Sequence, residues 1–381
     1  MTNLPIYLDY NATTPIDPEA AQAMLPYLTE HFGNPSSAHW FGRQTRQAID
    51  HARAQVASLL GCEVDEVIFT SGGSEANNYA LKGYAWANRE RGNHIIASAI
   101  EHPAVLEVLE FLQRQGFQFT LLPVDEYGRV AIEDLQAALT SQTTLVSLMH
   151  ANNEVGTLQP ISEIAAITRR AGIALHCDAA QSVGKVPVRV HELGVDMLSI
   201  AGHKLYAPKG VGVLFVRRGV QLEKLIHGAG HEKNRRAGTE NILEIAGLGQ
   251  ACEVAQRDLE KNVNHMRVLR ERLRLGLQQR IHDLKFNGHP EQSLPNTLSV
   301  SFRGVAANAL MAEISDTLAV SPGAACHADA VSISHVLAAM RVPQEYAMGT
   351  LRLSLGKKTT EEEVDRAVEV LVHAVQQVTR A

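Results

Sequence analysis

A lysine beside a histidine in SIAGHKLYAPKG, a carboxylate in IALHCDAAQ and a glycine pair in FTSGGSEANN are the residue types and spacings most suited to chemistry in this chain. Lys204 follows the strand-like run VDMLSIA, adjoins His203 and precedes a Pro-Lys-Gly turn. A lysine in a polar cleft between elements can have its pKa lowered and become a carbonyl nucleophile, although most lysines are simply solvated. Asp178 ends a run that is otherwise apolar. A partly buried carboxylate there needs a cationic or hydrogen-bonding partner, and either a pyridinium nitrogen or the start of a helix would serve. Gly72 and Gly73 lead from a strand into a helix starting near Ser74. Free N–H groups and the helix dipole at such a turn suit a phosphate, but an ordinary helix capped by Ser71 or Ser74 explains the stretch equally well. The nucleotide patterns GxxxxGK[ST] and GxGxxG after a strand are both missing, which counts against nucleotide cofactors.

The elements that must position these groups are legible as short β-branched runs leading into helical patterns. They are EVIFT (66–70), HIIASAI (94–100), TLVSLMH (144–150) and IALHCD (173–178). This alternation predicts a mostly parallel sheet covered by helices, with ligands bound beyond the carboxyl ends of the strands. The stretch VAQRDLEKNVNHMRVLRERLRLGLQQRI then predicts one long helix leading out of the first domain. A smaller α+β domain follows, with strands at NTLSVSF (296–302) and TLRLSLG (350–356) and helices at SISHVLAAM (332–340) and TEEEVDRAVEVLVHAVQQV (360–378). The expected division is a large domain over 16–255 and a small one formed by 1–15 plus 256–381. At 381 residues, 45% hydrophobic and 20% charged, the chain has an ordinary globular composition. A net charge of −6 gives no general reason to bind nucleic acid or an anionic membrane. No transmembrane run or signal peptide is evident, so a cytoplasmic protein is expected. Four cysteines, Cys62, Cys177, Cys252 and Cys326, form no CxxC pair, which disfavours disulfides and structural zinc and leaves room for a free working thiol. His227 and His231 have a spacing that a metal site can use, but a glycine-rich loop offers no rigid face, and no metal is expected. A phosphate-binding turn, a strand-end carboxylate, a histidine after a strand and a later lysine together are the parts needed to hold and activate pyridoxal phosphate (PLP).

The ordered motifs YLDYNATTP, GNPSSAH, FTSGGSEANN, EHPAV, ANNEVGTLQPI, HCDAAQSVGKVP, GHKLYAPKGVG, RRAGTEN, GAACHAD and LRLSLG span nearly the whole chain. In them the sequence resembles the cysteine desulfurase and selenocysteine lyase family of class V aminotransferase-like PLP enzymes. The resemblance implies the α/β fold of PLP-dependent transferases of fold type I, with a mostly parallel sheet of the seven-stranded type in the large domain. It implies that Lys204 forms the Schiff base, that Asp178 pairs with the pyridine nitrogen, and that His102 stacks on the ring and moves protons. Asn153 and Gln181 would bond the ring-oxygen region. Gly73, Ser74 and His203 would hold the phosphate, with Thr239 arriving from a second subunit of a homodimer. Arg352, with Asn153 nearby, would bind the carboxylate of the amino-acid substrate. Cys326 would take sulfur from L-cysteine as a persulfide, leaving L-alanine, before passing it to an acceptor protein. Release of selenium from selenocysteine is the alternative, and plain aminotransfer a third reading that needs no Cys326. Three departures bear on the choice. Ala201 stands where many members have a phosphate-binding serine, GAGHE replaces Gly-Gly-Gly-Gln-Glu, and GAACHAD is similar to the cysteine loop of animal selenocysteine lyases.

Overall fold

The computed structural model describes residues 4–327 and 330–380, with side chains described for 4–323 and 333–379. Its largest sheet has seven strands: β1 (Val67–Thr70), β2 (His94–Ser98), β3 (Gln118–Leu122), β4 (Thr143–Met149), β5 (Ala174–Asp178), β6 (Met197–Ala201) and β7 (Gly212–Val216), in the order β1-β7-β6-β5-β4-β2-β3. Only β7 runs against its neighbours β1 and β6; the pairs β6-β5, β5-β4, β4-β2 and β2-β3 are parallel. Every residue of β1, β2, β4, β5, β6 and β7 is buried, which explains why their runs are continuously apolar or β-branched instead of alternating.

Helices cover this sheet. They include α1 (Trp40–Leu60), α2 (Gly73–Asn78), α3 (Pro103–Arg114), α4 (Ile161–Ala171) and α5 (Ile242–Arg257). In α3, His102 caps the first turn, Pro103 occupies a position whose N–H has no helical partner, and Val105, Val108, Leu109 and Leu112 form the buried stripe. Helices α1 and α5 cross so closely that a Cβ on Gly249 would lie 2.6 Å from Ala52.

The stretch expected to be one helix is two. α5 ends at Arg257, and α6 (Leu259–Arg280) starts after Asp258, whose φ of −103° and ψ of 10° break the helical path. Beyond it lies an antiparallel sheet of β8 (Leu284–Asn287), β9 (Thr297–Phe302), β10 (Ser321–Pro322) and β13 (Thr350–Ser354), with α7 (Glu361–Arg380) packed against α6. Between β10 and β13 comes a hairpin of β11 (Ala324–His327) and β12 (Ala330–Ile333). The helix expected over 332–340 therefore covers only His335–Ala339: Ile333 still pairs across the hairpin, and Ser334 starts the helix by accepting from the Val336 N–H.

Among the described residues, three hydrophobic clusters form the core: two pack on opposite faces of the large sheet and a third on the smaller sheet. Leu8, Leu273, Val300, Phe302, Leu353 and Val364 belong to the third. Ile6 and Tyr7 pair with Leu318 and Ala319, tying the N-terminus to it. Val336, Leu337, Met340, Val342 and Ala347, however, pack into one of the clusters of the large sheet although they follow β10 in sequence.

Candidate active site

The carboxyl ends of the parallel strands converge on a cavity of about 230 Å³ lined by Gly73, Ser74, Asn77, His102, Asn153, Asp178, Gln181, Ala201, His203 and Lys204. Eight sequence-predicted residues therefore meet at one place: Gly73, Ser74, His102, Asn153, Asp178, Gln181, His203 and Lys204.

Lys204 ends a short turn, Gly202–Lys204, directly after β6. Burial is the main force lowering its pKa, opposed by the Asp178 carboxylate and reinforced by Arg352. Asp178, at the end of β5, is 6% exposed. One of its oxygens accepts from Asn77 Nδ2 at 2.7 Å and the other from the Ala180 N–H at 2.9 Å. His102 Nδ1 accepts from the Ala104 N–H at 3.1 Å, which leaves Nε2 to carry the proton of the neutral ring. Burial lowers the pKa of His102 and drives that of His203 down to about 4, with Lys204 adding to both effects.

Glycines form the start of α2 beside the cavity. Gly72 has φ 152°, a conformation open to glycine but strained for other residues, and caps α2 without any side-chain hydrogen bond. Neither Ser71 nor Ser74 caps this helix. A Cβ on Gly73 would come within 3.1 Å of Ala201 Cβ, so β6 runs close under the first turn of α2 at the position where the family's serine is missing.

Arg352 on β13 is drawn in from the other sheet. Its NH2 group donates to Asp9 Oδ1 and Ser321 Oγ, each at 2.8 Å, and NH1 to the Asn153 carbonyl at 3.2 Å, while the buried Nε has no partner. Thr239 does not join this cavity. It lines a different one with Ser71, Arg236 and Glu240. The backbone of Cys326 lies in β11, opposite Val331 of β12; its side chain lies outside the described set. Although the cysteine lies in that hairpin, the hairpin's base is anchored beside the site. The Ser334 N–H bonds the Gly323 carbonyl, Ser334 Oγ bonds Glu154, and His335 Nε2 bonds the Glu101 carbonyl at 3.0 Å. Glu101 and Glu154 are the sequence neighbours of His102 and Asn153.

Asn11, Asn77, Glu101 and Lys185 also belong to this region and were not anticipated. Asn11 joins Gln181, Lys185, Asn153, Asn296 and Thr297 through its backbone carbonyl and side-chain amide. The motif YLDYNATTP contains Asn11, but nothing in its spacing marks that residue as a hub. His227 and His231 face different carboxylates, Glu223 and Glu240, and among the described residues no group of three or more His, Cys, Asp or Glu is placed to hold a metal ion.

The class-V aminotransferase family model matches residues 6–367. The chain belongs to that family. Curated relatives named cysteine desulfurase IscS, from Dictyoglomus turgidum and Methanosarcina thermophila, are each 46% identical to it, over 97% of this chain and 94% of the former and over 98% of this chain and 93% of the latter. Among solved structures, a NifS-like protein superimposes with a TM-score of 0.93 at 38% identity, covering 98% of this chain and all of that one. DndA from Streptomyces lividans superimposes with a TM-score of 0.78 at 39% identity over 91% of this chain and 98% of its own.

These are PLP enzymes, and the cavity fits that cofactor. The cavity is lined by a glycine-flanked helix start without a side-chain cap, by a buried carboxylate and by Lys204, and the buried Asn77 Oδ1 has no protein partner. Among the described residues no helix is long and apolar enough to cross a membrane.

Proposed function

We propose that this chain is a PLP-dependent cysteine desulfurase that converts L-cysteine to L-alanine and keeps the sulfur on Cys326 as a persulfide. The observation that carries this reading is the anchoring of the Cys326 hairpin, through Ser334 and His335, to the residues next to His102 and Asn153. An aminotransferase needs a lysine, a carboxylate and an arginine here, but no cysteine on such a hairpin.

When bound, PLP supplies an electron sink for the carbanion formed at the substrate Cα. In this assignment Asp178 holds the ring nitrogen in its protonated form. The first turn of α2, with Gly73, Ser74 and His203, binds the phosphate. Arg352 offers the substrate carboxylate its planar fork, for which Nε is already unpartnered. Lys204, its amine made more nucleophilic by burial, would hold the cofactor and, as a free amine, would accept the Cα proton of the substrate. His102 Nε2, which carries the proton of the neutral ring, would act as a proton donor. The Cys326 thiolate would attack the substrate sulfur; the new S–S bond forms as the Cβ–S bond breaks, that electron pair stays on carbon, and a proton added at Cβ together with the proton returned to Cα completes alanine. The balance is L-cysteine plus enzyme thiol giving L-alanine plus enzyme persulfide.

A homodimer that shares its sites accounts for two features. Thr239 lies away from the cavity of its own chain, and Leu28, Phe32 and Trp40 are exposed by 59%, 72% and 51% on adjoining segments, a patch of the kind subunits cover. The division at 16–255 and at 1–15 plus 256–381 is supported by the separation of the small-sheet cluster from the two that flank the large sheet, with 336–347 docked on one of the latter. A cytoplasmic location suits a thiol that must stay reduced, and the final acceptor of the persulfide sulfur is assigned to a partner protein.

Alanine formation and persulfide labelling should be measured with cysteine and with selenocysteine, for the wild type and Cys326→Ala. Loss of alanine formation from cysteine in the variant is expected. Undiminished turnover of selenocysteine alone would favour the lyase, and transamination of a keto acid would sink both.

A further inference from the structure

Lys185, one helical turn beyond Gln181 in the segment after β5, is 5% exposed and carries no assigned role. Its Nζ donates to Gln181 Oε1 at 3.1 Å and to Asn11 Oδ1 at 3.2 Å, both oxygens of neutral amides. The charged groups acting on it, Lys204 after β6 and Arg352 on β13, are cationic. Asp17, which lines a small cavity with Lys185, is paired with Lys357, and Asp9 is paired with Arg352. A buried ammonium without a carboxylate is costly to keep.

Its hydrogen bonds have a directional consequence. Burial, reinforced by Lys204 and Arg352, lowers the pKa of Lys185 to about 7; in its ammonium form it only donates, and the oxygens of both amides then face it. In Gln181 this turns Nε2 the other way, where it donates to the Asn11 carbonyl at 3.0 Å and has a second hydrogen to offer the cavity that Gln181 lines. In Asn11 it turns Nδ2 toward Thr297 Oγ1 and the Asn153 carbonyl, the same carbonyl that Arg352 holds. The Asn11 carbonyl, which only accepts, asks for the same sense of the Gln181 amide, and Lys185 adds the complementary constraint on Oε1.

We propose that Lys185 is a positioning residue that, by binding Oε1 while the Asn11 carbonyl binds Nε2, locks the sense of the Gln181 amide, so that an N–H and not a carbonyl faces the ring oxygen of the cofactor. This rests on the assignment of PLP to Lys204. A donor on that oxygen withdraws charge from it and makes the Lys204 nitrogen, once joined to the cofactor, less basic.

The test is a pH titration of the visible absorbance of the substrate-free holoenzyme. Lys185→Met should raise the apparent pKa of the Lys204 nitrogen by about one unit. In a Gln181→Met background the same substitution should move it by less than about 0.3 unit, because the group through which it acts is gone. Lys185→Gln, which retains an N–H donor, should stay near the wild-type curve. No shift in Lys185→Met, or an equal shift with and without Gln181, overturns the proposal. Loss of the visible band in both Lys185 variants would mark the residue as structural and also overturn it. A wild-type holoenzyme without any visible band would refute the cofactor assignment instead.

Discussion

Replacing Glu232 by alanine removes one half of a buried ion pair on which the segment carrying Thr239 depends. Arg53 on α1 and Glu232 form two parallel hydrogen bonds of 2.7 and 2.8 Å, with side-chain exposures of 8% and 2%. The same carboxylate accepts the Phe69 N–H of β1 at 2.9 Å. It also holds a strained stretch, since Glu232, Lys233 and Asn234 all have positive φ, at 47°, 56° and 64°. Leaving a buried guanidinium without its partner costs about 3–5 kcal/mol, and the orphaned amide adds about 1 kcal/mol. An unfolding entropy of roughly 2.1 cal/mol/K per residue over 381 residues is about 0.8 kcal/mol/K, so the midpoint should fall by about 5–8 °C. Thermal unfolding followed by circular dichroism reads this directly. The double variant Arg53→Met with Glu232→Met should recover most of the loss, because two apolar side chains leave no charge unpaired. A fall below about 2 °C in Glu232→Ala, or a double variant less stable than the single one, would refute the reasoning.

Glu101 is fully buried, and burial pushes its pKa up to about 8, against the Ser98 hydroxyl and the Met149 N–H, which both favour the charged form. The native carboxyl keeps its proton up to that pH while the unfolded chain loses it near 4.5, so this group's contribution to stability is complete at low pH and disappears as pH rises through 8. Glu101→Gln should therefore gain stability relative to the wild type by roughly 2–5 kcal/mol between pH 5 and pH 9, and parallel denaturant-unfolding stabilities at the two pH values would contradict this. His176 lies between Ser147 and Ser199 with its pKa lowered to about 4 by burial, so stability should be lost as pH falls from 6.5 toward 4, and His176→Gln should flatten that slope in the same unfolding series. Arg352→Lys should raise KM for the amino acid about 10- to 100-fold with a smaller change in kcat, since a single ammonium cannot reproduce the fork; steady-state kinetics checks the split. Ala201→Ser should tighten PLP binding up to about tenfold in a titration of the apoprotein, by adding a hydroxyl beside the first turn of α2.

Much of this protein is legible without coordinates. The buried strands β1, β2, β4, β5 and β6 are apolar runs of strand length, and the residues at their carboxyl ends are the polar ones. Strand end and helix start are local properties, so Gly73, Asp178, His102 and Lys204 can be assigned to the same edge of one sheet from sequence order alone. Local pattern fails where the chain answers to distant partners. The helix break at Asp258 interrupts a stretch whose own propensities favour continuous helix, and the strand at 330–333 takes up the first two residues of the helix expected over 332–340. The hairpin persists because its base is bonded to residues 154 and 101, far away in sequence.

What only the tertiary structure decided are the residues whose chemistry is set by burial. Lys185 and Glu101 have side chains as ordinary in sequence as any surface lysine or glutamate. Their exclusion from water depends on Asn11, Gln181, Ser98 and Met149 converging from separate elements. Residue type and order determined the family, the cofactor and most of the residues that line the cavity. Desolvation and hydrogen-bond direction, which arise only when those elements pack, decided which groups are charged there and which way their amides face.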